Sequence, residues 1–169
     1  MLGKILVSSV VVGGSLLAAA PVAARETVPF HDERAEPGTI VVRTKERRLY
    51  LVIGQGSAIR YPVAVGKMGK QWQGYTRISG KYVQPAWSPP DEMRRDNPRL
   101  PDVIQGGSPR NPMGLRAMTL AGGQYAIHGT NRPSSIGTFA SYGCVRMHNA
   151  DIVDLYDRVG VGSPVLMTP

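Results

Sequence analysis

Cysteine is almost absent: Cys144 is the single thiol among 169 residues. A lone cysteine cannot close an intrachain disulfide, which excludes the stapled scaffolds common among small exported domains. Histidine is nearly as scarce, at His31, His128 and His148, and this scatter offers no metal-ligand spacing. Acidic residues are outnumbered 12 to 20 by Lys and Arg, giving a formal charge of +8. Charged residues make up only 19% against 42% apolar, too few for a disordered chain. The glycine loop Gly66-Lys-Met-Gly-Lys70 lacks phosphate-loop spacing, and no serine sits in a nucleophile-elbow pattern. Internal repeats and low-complexity tracts are missing. Past the N-terminus no apolar run is long enough to span a membrane.

That N-terminus reads as a targeting segment. Met1 to Lys4 is short and positive, Ile5 to Ala20 is apolar and uncharged, and Val22-Ala-Ala24 places small residues where a signal peptidase reads. Residues 1–24 are expected to be a cleaved signal peptide, because the apolar run falls short of the roughly 20 residues a span needs. The remainder is then exported to the periplasm or cell envelope with no transmembrane segment. Cleavage removes only Lys4 among the charges, so the mature chain stays basic. Its natural partners there are anionic envelope polymers and lipid head groups. Nucleic acid is excluded by compartment and by the lack of an aromatic-interleaved basic patch. In an oxidising space a free thiol is an intermolecular bridge, an inert buried group or a reactive one.

Residues 25–37 are polar and bounded by prolines, and are expected to be a flexible leader that includes His31. The folded domain is placed at 38–169. Thr39–Thr44 and Arg48–Ile53 are β-branched and aromatic runs around a charged turn, a hairpin by pattern. Ala58–Val65 is a third strand, with Pro62 marking an edge or bulge. Gly74–Val83 alternates, and Arg116–Leu120 and Gln124–His128 form another hairpin. Gln84–Pro112 is a long irregular stretch, and a loop of that length inside a domain is usually functional. One helix follows Met147, with Asn149 as N-cap, Asp151 in the first turn, and Ile152, Val153, Tyr156 and Val159 toward the core. Ser163–Met167 closes the domain. The fold class is therefore mostly β, a sandwich or partly open barrel, with one helix after the cysteine.

The context of Cys144 favours a reactive thiol. Gly143 permits close backbone approach, the polar Ser141 and Arg146 flank the cysteine, and the Arg146 charge suits a thiolate or a substrate carboxylate. His128 ends an apolar strand beside Gly129 and is the preferred base, because imidazole titrates near neutrality. His148, just before the helix, reads as a surface residue.

These residues also carry a resemblance. His128-Gly-Thr-Asn131 followed by Ser141-Tyr-Gly-Cys-Val-Arg-Met147, with Pro85-Ala-Trp-Ser-Pro-Pro90 and Asn111-Pro-Met-Gly-Leu-Arg116 ahead of them, resembles the YkuD-type L,D-transpeptidase catalytic domain over roughly residues 38–168. The resemblance implies a mostly β domain, Cys144 as nucleophile and His128 as base. It further implies that the Gly129 carbonyl orients the imidazole, a carbonyl variant of the triad. Plausible oxyanion donors are the amides of Gly143 and Cys144. The implied substrate is the peptide stem of peptidoglycan, cleaved before its terminal D-alanine through a thioester, with no cofactor. An amine acceptor resolves that thioester: a second stem, a D-amino acid or an envelope protein. Arg146, Ser141, Tyr142 and Trp87 are candidate substrate contacts. Many family members carry histidine where Tyr142 stands, so the role of that position is open. Two alternatives remain at this level, an envelope cysteine peptidase that uses water and a silent wall-binding domain.

Overall fold

Among the described residues, short β-branched runs broken by glycine and proline turns give ten strands and little helix. The computed structural model describes residues 25–54 and 56–169, so the signal peptide expected at 1–24 lies outside the described residues. The strands are β1 (Glu26–Pro29), β2 (Ile40–Arg43), β3 (Arg48–Gly54), β4 (Ser57–Gly66), β5 (Gly74–Val83), β6 (Arg116–Leu120), β7 (Ala126–His128), β8 (Phe139–Ser141), β9 (Val145–Met147) and β10 (Pro164–Thr168). Two helices join them, α1 (Asp91–Asp96) and α2 (Asn149–Arg158).

Eight of the strands close a ring in the order β4-β3-β2-β10-β5-β6-β7-β9, which returns to β4 through Val63 opposite Met147 and Ala64 opposite Arg146. The expected sandwich or partly open barrel is thus a mostly β, closed barrel-like sheet. Two ring pairs are parallel, β2 with β10 and β7 with β9. Alternate residues fill one face. Ile40, Leu49, Tyr61, Val63, Ile78, Ile127 and Met147 are all buried there, with Ile152 and Leu155 of α2 packed into the same cluster. The helix therefore presents Ile152 and Leu155, with Val153 only half-buried. Tyr61 Oη donates to Asp154 Oδ2 at 2.6 Å, and Lys81 Nζ donates to the carbonyls of Tyr156 and Val159 at 2.6 Å each. These bonds pin α2 to the barrel and satisfy carbonyls at its C-terminal end.

Three expectations are corrected. The segment 25–37 is no flexible leader: β1 pairs antiparallel with β4, Glu26 opposite Arg60, and Phe30 is buried. The cause is a second apolar face. Val41, Tyr50, Val52, Ala58 and Leu166 point away from the main core, and Phe30 covers them with its ring stacked on Tyr50 at 4.7 Å. Pro62 marks a local gap in the pairing of β4 and not the outer edge of the sheet. The Val63 amide donates to Arg47 O on the β3 side, so Pro62 faces the other side, where β1 has ended at Arg60 and β9 has yet to begin. Asn149 does not cap α2; it is the first helical residue, and its side chain is used elsewhere.

Candidate active site

The parallel pairing of β7 with β9 brings the two candidate catalytic residues together. Ile127 lies opposite Val145 and His128 opposite Arg146, so Cys144, one residue before β9, emerges beside the end of β7. Sixteen residues of separation collapse to neighbouring strands. Both side chains line one cavity of about 530 Å³, together with Ser141, Tyr142, Arg146 and Trp87. All six predicted residues thus line the same space.

His128 is 4% exposed, and its Nδ1 lies 2.7 Å from the Gly129 carbonyl. A carbonyl can only accept, so Nδ1 of the neutral ring carries the proton and Nε2 keeps the lone pair. Burial first, then the Arg146 charge, pushes the imidazole down to about 4, against the pull of the Gly129 and Pro112 carbonyls. Burial pushes the Cys144 thiol up, against a backbone hydrogen bond from Ala126 and the Arg146 charge. At neutral pH the resting pair is therefore thiol and neutral imidazole. Arg146 is half-buried, and desolvation lowers its own pKa.

The turn that carries the thiol is held from every side. Gly143 has φ of 117°, a region that favours glycine, and a Cβ there would lie 2.3 Å from the Tyr125 ring. Its carbonyl accepts a 3.0 Å bond from Trp72 Nε1, and Trp72 stacks on Tyr125 at 5.3 Å. Ser141 is buried, and its hydroxyl braces the turn. Its Oγ donates to Cys144 O at 2.6 Å and accepts the Gly143 amide at 3.1 Å. The Gly143 amide, one of the two expected oxyanion donors, is thus bonded to Ser141 Oγ in this structure.

Below His128, Asn149 Oδ1 accepts from the amides of Leu115 and Thr130, and its Nδ2 donates to Thr130 O. Gly129 has no room for a Cβ, which would lie 2.3 Å from Asn149 Oδ1. The Tyr142 phenol donates to Asp96 Oδ2 on α1 at 2.5 Å, and Lys67 Nζ sits 3.8 Å from its ring centre. Trp87 pairs across a backbone bridge with Ile104 and forms part of the cover made by residues 84–112. Asn111, 2% exposed, organises that cover: Nδ2 donates to the carbonyls of Pro85, Ile104 and Gln105, and Oδ1 accepts the Met113 amide. Sequence reasoning missed Trp72 and the supporting role of Asn149, neither of which has a local signature. Among the described residues no group of three or more His, Cys, Asp or Glu side chains gathers as a metal site, and no helix is long and apolar enough to cross a membrane.

The sequence matches the YkuD family, the L,D-transpeptidase catalytic domain, over residues 37–167. The probable L,D-transpeptidase YbiS of Escherichia coli (strain K12) is 40% identical over 135 residues, covering 75% of this chain and 43% of that protein. The chain thus spans less than half the length of this relative. A crystal structure from Brucella melitensis, of a protein called a probable carnitine operon oxidoreductase, is 45% identical, covers 85% of this chain and 92% of that one, and has a TM-score of 0.58. An L,D-transpeptidase from Mycobacterium smegmatis shares the fold at 16% identity and a TM-score of 0.62, over 78% of this chain and 58% of that one.

Proposed function

The chain belongs to the L,D-transpeptidase catalytic domain family, and on that premise we propose that it is an exported cysteine acyltransferase acting on the peptide stems of peptidoglycan. Residues 1–24 serve as its export signal. The observation that carries the reading is the placement of His128 and Cys144 on neighbouring strands facing one cavity, with Nδ1 fixed by the Gly129 carbonyl.

The Cys144 sulfur attacks the carbonyl carbon of the amide before the terminal D-alanine as Nε2 of His128 takes the thiol proton. Proton and bond move together, because neither thiolate nor imidazolium is stable at rest in this buried setting. The tetrahedral oxyanion receives the Cys144 amide, and the nearby Arg146 charge favours it. Collapse breaks the C–N bond, the imidazolium proton leaves on the D-alanine amine, and a thioester remains. An acceptor amine then attacks the thioester, His128 accepts its proton, and the sulfur departs and is reprotonated. The thioester conserves the energy of the cleaved amide, so no cofactor is required.

Water in place of the amine gives an L,D-carboxypeptidase, and a silent wall-binding domain gives no chemistry. Incubation with a disaccharide-tetrapeptide, followed by mass spectrometry, separates them. Cross-linked product with D-alanine release is the expected outcome, tripeptide alone indicates hydrolysis, and no product despite an alkylatable Cys144 sinks the enzyme reading. Cys144→Ala is expected to abolish the thioester adduct, and His128→Ala to slow its formation by roughly 10²- to 10⁴-fold.

A further inference from the structure

A second recess of about 330 Å³ adjoins the Cys144 cavity and shares with it Trp87, Met93, Pro112, Tyr142 and Arg146. Arg146 therefore stands on the partition, two residues along the chain from the nucleophile. Beyond it the recess is lined by Arg110 and Arg132. Among the described residues none of these three arginines forms an ion pair, and no hydrogen bond reaches the Arg146 guanidinium. One acid lines the recess, Asp96, and it is already engaged by the Tyr142 hydroxyl and by Lys67 at 3.8 Å. Arg132 and Arg146 are close enough to oppose one another, since Arg132 disfavours the charged form of Arg146, and Arg110 lines the same recess.

Three like charges around one recess repel, and a half-buried guanidinium without a partner is costly. Such a site is complementary to an anion. Planar guanidinium forks match a carboxylate with two parallel bonds. Its position matters as much as its charge: an anion held here lies beside the acyl group on Cys144 without occupying the cavity where that group sits.

We propose that this recess is a carboxylate-binding acceptor subsite, which selects amines that carry a carboxylate close to the attacking nitrogen, as an amino-acid centre does. The inference rests on the acyl-transfer reading above. The carboxylate docks on Arg110, Arg132 and Arg146, and the neighbouring amine is turned toward the thioester carbon. Water, having no such handle, competes poorly while the recess is filled.

Two measurements test it. In the first, the tetrapeptide-stem donor is supplied with either D-methionine or D-methioninamide at equal concentrations of unprotonated amine, because replacing the carboxylate also lowers the basicity of the amine. The unaltered protein is expected to favour the acid by roughly ten- to a hundredfold, the range set by charge-assisted hydrogen bonds. Arg110→Gln/Arg132→Gln is expected to bring that ratio toward one, and Arg132→Lys to restore part of it. An acid-to-amide ratio near one in the unaltered protein, or an undiminished ratio in the double variant, overturns the proposal. In the second, phenylglyoxal modification of Arg132 and Arg146 is mapped by mass spectrometry on the unaltered protein. D-Methionine is expected to protect both residues, with D-methioninamide much weaker. Equal protection by both, protection by neither, or protection by inorganic phosphate but not D-methionine overturns the carboxylate assignment. Protection by D-methionine without any D-alanine release leaves the subsite standing and removes the acyl-transfer reading instead.

Discussion

The turn that carries Cys144 and the segment that covers it face each other across one cavity, and they are held by different kinds of force. Residues 141–147 run from β8 into β9, where ladder hydrogen bonds, Ser141 Oγ and the Trp72 indole fix nearly every backbone group. Residues 84–112 have no buried side chain in α1, and the bonds that tie α1 to the catalytic wall lie at the surface: Tyr142 to Asp96, Lys67 to Asp96, and Lys70 to Glu92. Exposed pairs of that sort are worth about 0–1 kcal/mol each. Reacting atoms tolerate little misplacement, whereas a cover must admit a bulky peptide. On the acyl-transfer reading proposed above, the division of forces matches a division of work: the stiff wall would carry the chemistry and the weakly fastened wall would admit the substrate.

The largest test of this contrast is Gly143→Ala. Its Cβ would lie 2.3 Å from the Tyr125 ring at a φ of 117°, so either the turn or the Trp72–Tyr125 stack must shift. D-Alanine release is expected to fall by at least about 10²-fold while the protein remains folded. Near-normal turnover would mean that the catalytic wall gives as readily as the cover.

Acid probes the same wall without a mutation. An unfolded imidazole takes its proton near the ordinary 6.5, while His128 in the fold resists until about 4. Within that window the unfolded chain binds more protons, so stability falls as pH drops from about 6.5 to about 4. The full effect is on the order of 3 kcal/mol. Urea midpoints measured across this range are expected to flatten in His128→Gln. Cys144 acts at the opposite end: its thiol is pushed up in the fold, so stability is lost as pH rises through the thiol range.

What could be read beforehand follows the range of the interactions. Strands β2 to β7 announce themselves because β-branched and aromatic runs between turn residues are local signals. His128 and Cys144 stood out because their residue types are rare and their flanks form a motif. β1 escaped, since Glu-Thr-Val-Pro has no alternation, and it is a strand only because β4 offers an edge about thirty residues on. Three-residue strands such as β8 and β9 are too short to show a period. Trp72 reaches Gly143 across 71 positions, and no local pattern encodes such a bond. Asn149 satisfied a helix-cap rule, yet the amides of Leu115 and Thr130 claimed its side chain. The bond from the Gly143 amide to Ser141 Oγ was not legible, because a sequence does not show where the Ser141 hydroxyl points.

On the cover, Asn111→Ala strikes the one buried polar hub. It leaves the carbonyls of Pro85, Ile104 and Gln105 and the Met113 amide without that side chain as partner. The cost is about 2 kcal/mol, within the range for unsatisfied buried groups. Because the barrel core is untouched, the loss is expected to be local: faster hydrogen exchange and proteolysis between residues 85 and 110, with strands of the ring unchanged. Exchange that rises equally in β2 and β10 would show that cover and barrel unfold as one unit.

The smallest expected effect falls on the hinge between the two regions. Tyr142→Phe removes only the hydroxyl bonded to Asp96 and leaves the ring beneath Lys67. Loss of one exposed, charge-assisted bond is worth about 1 kcal/mol or less. It is expected to loosen α1, raising KM for the stem by about two- to fivefold through roughly that energy, with kcat little changed. In about 1 M salt, where screening acts over roughly 3 Å, the variant and the unaltered protein should converge, because the Lys67–Asp96 and Lys70–Glu92 pairs are weakened in both. The rate of Cys144 alkylation is the deciding measurement. If Tyr142 serves the cover, alkylation stays the same or rises slightly as access improves. If it falls as steeply as in Gly143→Ala, the residue beside the nucleophile belongs to the stiff wall, and the boundary between the two regions lies at α1 rather than at Tyr142.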